Sequence, residues 1–133
     1  SYAAFAHEGL VAQLVPAAGQ QARPEEPALA VSVVVRNTAA VPGDEVLQVY
    51  VEPPGLRLPR AARQLVGFQR LRLDAGQALP ITLLIPLRRL AYFDEARDAF
   101  VLEAGCHRVL VASHAEAGGL AVELTLREQE LEG

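Results

Sequence analysis

The chain has 133 residues, 51% hydrophobic and 21% charged, with a formal net charge of -4, which suits one domain around a single core and excludes a second full-sized one. The acid excess argues against a dedicated nucleic-acid binder. No apolar stretch nears the ~20 residues of a membrane-spanning helix, and no basic region precedes an apolar run at Ser1, so neither a span nor a secretory leader is expected. The one cysteine, Cys106, excludes an intrachain disulfide, and no structural zinc site can be assembled.

Along the chain, period-two alternation recurs and no segment sustains the apolar spacing of a helix. An opening strand spans about Gly9 to Val15, and Pro16 to Pro27 reads as a loop. A clear strand follows, with Val31, Val33 and Val35 on one face and Ser32 and Arg36 on the other. Asn37 to Asp44 is a loop with Pro42-Gly43 as its turn signal, and Glu45 to Glu52 is the next strand, with Leu47, Val49 and Val51 inward. Pro53-Pro54-Gly55 stops it. After a connection, Leu65, Gly67, Gln69, Leu71 and Leu73 set up a further run, closed by a hairpin-like turn at Asp74-Ala75-Gly76-Gln77. Leu79, Ile81, Leu83 and Ile85 then point inward, and Leu87 to Leu90 has room for one helical turn. Tyr92-Phe93-Asp94 and Phe100 to Glu103 flank a polar corner. His107, Val109 and Val111 alternate with Cys106, Arg108 and Leu110, and Gly118-Gly119 turns into Leu120, Val122, Leu124 and Leu126. About seven short strands with turn signals every 8 to 15 residues predict an all-β, two-sheet antiparallel β-sandwich of immunoglobulin or fibronectin type III kind. Glu128 to Gly133 reads as a frayed acidic tail.

Several blocks carry a resemblance. Asn37-Thr38, Gly43-Asp44-Glu45-Val46-Leu47-Gln48-Val49-Tyr50-Val51 and Arg63-Gln64-Leu65-Val66-Gly67-Phe68-Gln69-Arg70 resemble the fibronectin type III-like C-terminal domain of glycoside hydrolase family 3, the β-glucosidase-like enzymes. Leu73-Asp74-Ala75-Gly76-Gln77 is similar to that domain's L-x-P-G-E turn, Leu90-Ala91-Tyr92-Phe93-Asp94 to its L-x-Y-[WY]-D segment, and Glu103-Ala104-Gly105 with Val109-Leu110-Val111 to its last E-x-G and V-x-V strand. Ser1-Tyr2-Ala3-Ala4-Phe5 is similar to the S-Y-T-x-F link leaving the preceding α/β domain. Ala39, Ala61 and Phe100 depart from the usual Gly, Pro and Trp without disturbing the fold. The resemblance implies a linker, first strand and loop over 1–27, the sandwich over 28–127 and the acidic tail over 128–133. It also implies a non-catalytic accessory module of a hydrolase that cleaves O-glycosidic bonds. The alternative is a free-standing module recognising a protein or glycan.

The residues themselves offer no catalytic set. Retaining glycosidases need two carboxyl groups about 5 Å apart. The acidic neighbours here, Glu25-Glu26, Asp44-Glu45 and Asp94-Glu95, are adjacent in sequence and point to opposite faces of an extended chain. Ser1, Ser32 and Ser113 lack a nucleophile elbow, and no phosphate-cradling glycine loop occurs. Cys106 faces away from His107 and Val109, and His107 reads as a neutral core histidine with a hydrogen-bond partner. His7 and His114 read as solvated. No catalytic residue, cofactor or metal is expected. Sugar stacking is also disfavoured, because the chain has no Trp and its outward aromatics, Tyr50 and Phe68, read as covering a flank or an interface.

Charge is unevenly spread: residues 57–89 hold seven arginines and one acid, whereas the flanking segments are acidic. Arg57, Arg60, Arg63, Arg70 and Arg72, with Phe68, form the candidate docking edge toward the preceding catalytic domains, since arginine beside an exposed aromatic is an interface composition. A contact between copies of the chain would use the same composition. Neither nucleic acid nor a membrane is expected as a partner.

Overall fold

A computed structural model describes residues 5–16, 27–54, 63–113 and 119–131. The strands are β1 (Phe5–Val15), β2 (Ala28–Asn37), β3 (Gly43–Glu52), β4 (Gln64–Leu73), β5 (Ala78–Pro86), β6 (Tyr92–Asp94), β7 (Ala99–Leu102), β8 (Gly105–Ser113), β9 (Ala121–Leu126) and β10 (Gln129–Leu131), with one 3₁₀ turn at Leu87–Leu90. The seven longer strands build a three-stranded sheet, β1-β2-β5, and a four-stranded sheet, β4-β3-β8-β9, all antiparallel. The three short ones form a small third sheet, β10-β7-β6. The expected sandwich of about seven strands is therefore present, and the third sheet is an addition to it.

Alternation decides which face is buried. Val31, Val33 and Val35 of β2 meet Leu47, Val49 and Val51 of β3 and Val109 and Val111 of β8 in one core, against which Leu83 and Val122 pack. Leu87 and Leu90 of the 3₁₀ turn are fully buried there too. Asn37, also fully buried, ties the loop after β2 to the end of β4. Its Nδ2 donates to the Val41 carbonyl at 2.9 Å and the Leu73 carbonyl at 3.2 Å, and its Oδ1 accepts from Ala39 N at 3.0 Å.

Four expectations change. The turn at Asp74–Gln77 exists, with Gln77 N donating to Asp74 O at 3.0 Å and Gly76 at φ +73°, a backbone region that glycine enters without steric cost. It does not close a hairpin, because β4 pairs with β3 whereas β5 pairs with β2; the turn carries the chain from one sheet to the other. In β4 the inward parity slips. Val49 pairs with Gly67 and Tyr50 with Leu65, so Val66 is an extra residue, buried at 2% exposure, while Leu65 is 51% exposed. Such a bulge shifts the register and re-aims the side chains before it.

The acidic end is not frayed through Leu131, since Gln129–Leu131 pairs with β7 and Leu131 is buried. Arg97 holds this strand, with Nη1 3.0 Å from Glu128 and 3.7 Å from Glu130, and Nε 3.7 Å from Asp94. The hydrogen bond to Glu128 raises the guanidinium pKa above its ordinary value, and the three carboxylate charges add to it. His7 is half-buried rather than solvated, its Nε2 3.2 Å from Ser113 Oγ, which joins the two large sheets. The loop at 17–26 and His114 lie outside the described residues.

Candidate docking face

β4 is an edge strand of the four-stranded sheet. Beyond its bulge, Leu71 and Leu73 enter the core, so Phe68, Arg70 and Arg72 share the outer face. Across the ladder they lie opposite Gln48, Val46 and Asp44 of β3. Phe68 is 60% exposed, the most of any large apolar side chain described. A depression of about 470 Å³ is lined by Asp44, Glu45, Val46, Arg70, Leu71 and Arg72.

The arginines differ in what already satisfies them. Arg72 Nη1 pairs with Asp44 Oδ1 at 3.0 Å, both side chains largely exposed. Arg63 Nη2 lies 3.4 Å from Glu52 and its guanidinium 5.6 Å from the Tyr50 ring centroid, while Arg108 reaches the same Glu52 at 3.4 Å. Exposed pairs of this kind contribute under about 1 kcal/mol each. Arg70 makes no ion pair among the described residues. Arg57 and Arg60 lie outside the described residues. The structure thus brings Phe68, Arg70 and Arg72 onto one face and places Arg63 immediately before the same strand. Tyr50 is half-buried, its hydroxyl donating to Gln48 Oε1 at 3.0 Å.

The acidic pairs read from the sequence differ in what holds each member. Asp44 is exposed, whereas Glu45 is buried with its Oε1 accepting from Val46 N at 2.8 Å. Asp94 Oδ1 accepts from the backbone of Ala96 at 3.0 Å and Arg97 at 3.3 Å, so it shapes a turn. Glu25 and Glu26 fall outside the described residues. Among the described residues no group of three His, Cys, Asp or Glu side chains could hold a metal ion, and no helix is long and apolar enough to cross a membrane. His107 is fully buried, with Nδ1 3.2 Å from the Gly105 carbonyl oxygen, and Cys106 is exposed on the opposite side of β8.

Three exposed apolar side chains were not singled out from the sequence. Leu65 lies outside because of the bulge, Leu84 of β5 is 48% exposed, and Phe93 of β6 is 45% exposed with its ring edge-on to Phe100 at 5.3 Å. The exposure of Leu84 was legible in principle, since it alternates with the inward Leu83 and Ile85.

Two antiparallel sheets of three and four strands packed on one core define a sandwich of the fibronectin type III and immunoglobulin-like class. The chain belongs to the fibronectin type III-like domain family, which its residues 45–115 match. Probable beta-glucosidase J of Aspergillus fumigatus is 36% identical over 106 residues, 77% of this chain and 12% of that protein. Probable beta-glucosidase I of Aspergillus oryzae is 33% identical over 118 residues, 87% of this chain and 14% of that protein. Among solved structures, beta-glucosidase 3B from Thermotoga neapolitana superposes with a TM-score of 0.82 at 26% identity, covering 99% of this chain and 17% of that one. The GH3 beta-glucosidase of Bifidobacterium adolescentis superposes with a TM-score of 0.80 at 29% identity, covering 96% of this chain and 18% of that one. The resemblance to the family 3 domain thus holds across the fold, and the chain spans about one-eighth of the length of these curated relatives.

Proposed function

We propose that the chain is a non-catalytic accessory module of a family 3 glycoside hydrolase with β-glucosidase-like activity, and that it stabilises the enzyme by docking on the preceding catalytic domains. The observation that carries this reading is the match of nearly the whole sandwich to one small part of much longer beta-glucosidases. In this reading residues 1–27 lead in from the preceding domain and contribute β1, and 28–127 complete the sandwich. In this reading the two carboxyl groups that a retaining mechanism sets about one anomeric carbon belong to the preceding domains.

The docking contact is assigned to Arg57, Arg60, Arg63, Phe68, Arg70 and Arg72. Phe68 is already exposed at a cost in apolar hydration, and guanidinium groups make paired hydrogen bonds to carboxylates when an interface desolvates them. The 133-residue chain, assayed at high concentration with aryl β-glucoside and β-xyloside, should show no turnover. Turnover that survives repurification and disappears on mutating an acid of this chain refutes the non-catalytic reading. For docking, Arg60→Ala, Arg63→Ala and Phe68→Ala together should lower the melting temperature of the full-length enzyme more than that of the 133-residue chain. Equal, small shifts in both contexts sink the docking assignment.

A further inference from the structure

We infer that the enzyme's preceding domains grip this module at the open edge between β4 and β5, through a segment that presents an apolar side chain flanked by a carboxylate. The inference rests on the accessory-module reading and moves the centre of the contact from the arginine row to a notch that includes residues of β5 and the 3₁₀ turn. β4 ends one sheet and β5 ends the other, so together they form one side of the sandwich. Between them lies a notch of about 220 Å³ whose walls include Phe68, Leu84, Pro86 and Arg89. Its floor is the backbone of Gly67, seated so close to Ile85 that an added Cβ would meet Ile85 Cδ1 at 3.3 Å.

Three of the six large apolar side chains most exposed among the described residues, Leu65, Phe68 and Leu84, belong to these two strands. Edge strands that only need protection from aggregation carry charges and prolines. Pro80 and Pro86 fit that need, whereas a 60% exposed phenylalanine works against it. The charged side chains of β4, β5 and the 3₁₀ turn are all arginines. Arg89 donates from Nη1 to the Val66 carbonyl at 3.3 Å, which fixes the guanidinium beside the notch. Among the described residues neither Arg89 nor Arg70 has a carboxylate partner, and none of those lining the notch is an acid. An apolar recess with the Arg89 guanidinium on its wall, and Arg70 two residues beyond Phe68 on the same face of β4, is complementary to an apolar side chain beside an acid. A second copy fits less well: pairing two such edges brings Arg70 and Arg89 of one against the same cations of the other.

Hydroxyl-radical footprinting read by mass spectrometry compares the full-length enzyme with the 133-residue chain. Phe68 and Leu84 should be labelled several-fold more slowly in the full-length enzyme, with Phe93 unchanged. In that enzyme, Arg89→Glu and separately Arg70→Glu should restore labelling, while Arg89→Lys keeps the protection. Protection of other faces with Phe68 and Leu84 labelled equally in both contexts overturns the notch and leaves the accessory-module reading standing. If no residue of the chain changes its labelling between the two contexts, the docking role fails, and the notch with it. Protection that appears in the 133-residue chain alone and grows with its concentration assigns the edge to a second copy and overturns the inference.

Discussion

Asn37→Ala is the most informative single perturbation of the fold, because one small side chain closes three backbone groups where β2 ends. The bond to the Leu73 carbonyl is buried, and losing its donor strands that acceptor at about 1–3 kcal/mol. The bonds to the Val41 carbonyl and from Ala39 N are partly accessible, so water replaces them in part, at about 0.5–1 kcal/mol each. Together the loss is about 2–5 kcal/mol, a large share of the ~5–15 kcal/mol that holds an ordinary domain together. Asn37→Asp should cost at least as much: it keeps the acceptor facing Ala39 but removes both donors and places a carboxylate in a fully buried site. Urea unfolding of the 133-residue chain, followed by backbone circular dichroism, measures both as a lowered midpoint at constant slope. A loss below about 1 kcal/mol for Asn37→Ala, or a milder effect for Asn37→Asp, refutes the account of Asn37 as the fastener between the β2 end and the β4 end.

Val49, with no exposed surface at the centre of β3, should lose about 2–3 kcal/mol as Val49→Ala, the transfer of two methyl groups at ~0.8 kcal/mol each plus a cavity. Val11→Ala on β1, at a site 53% exposed, should stay within about 0.5 kcal/mol, and equal effects at the two sites in the same urea titration contradict the inward assignment. Arg97→Ala should release the C-terminal strand, because its guanidinium gathers Asp94, Glu128 and Glu130. Hydrogen exchange should rise at Gln129–Leu131 with the β1–β2 amides unchanged, and unaltered exchange at β10 refutes the clamp.

The long strands were legible because each has one buried face, which forces period-two alternation onto the sequence. β2 and β3 therefore came through with their inward residues correct. β4 did not, because parity counting assumes one residue per step on both strands, and the bulge sets Leu65 and Val66 against a single step from Val49 to Tyr50. The turn at Asp74–Gln77 was legible from its residues, but whether its flanking strands pair with each other is decided by β2 and β3, which take them into different sheets. β10 shows the same limit. Three residues carry too little alternation to mark a strand, and its acids look solvated until Arg97, some thirty residues earlier, is brought beside them.

The candidate site was half legible for a related reason. Arginine density along 57–89 is visible in the sequence, but density does not say which cations remain available to a partner. Folding sets Arg72 directly opposite Asp44, and brings Arg63 and Arg108 to Glu52, so these charges are partly screened before any partner arrives. Arg89 sits in what reads as an ordinary helical turn, and only the crossing from β4 to β5 carries it to the wall that Phe68 and Leu84 share. A guanidinium whose field is not cancelled within its own chain gains most from a carboxylate on a desolvated partner, and loses most when that partner is removed. Within the proposed contact the largest contributions should therefore come from the cations without a carboxylate partner among the described residues, Arg70 and Arg89, ahead of Arg63 and Arg72.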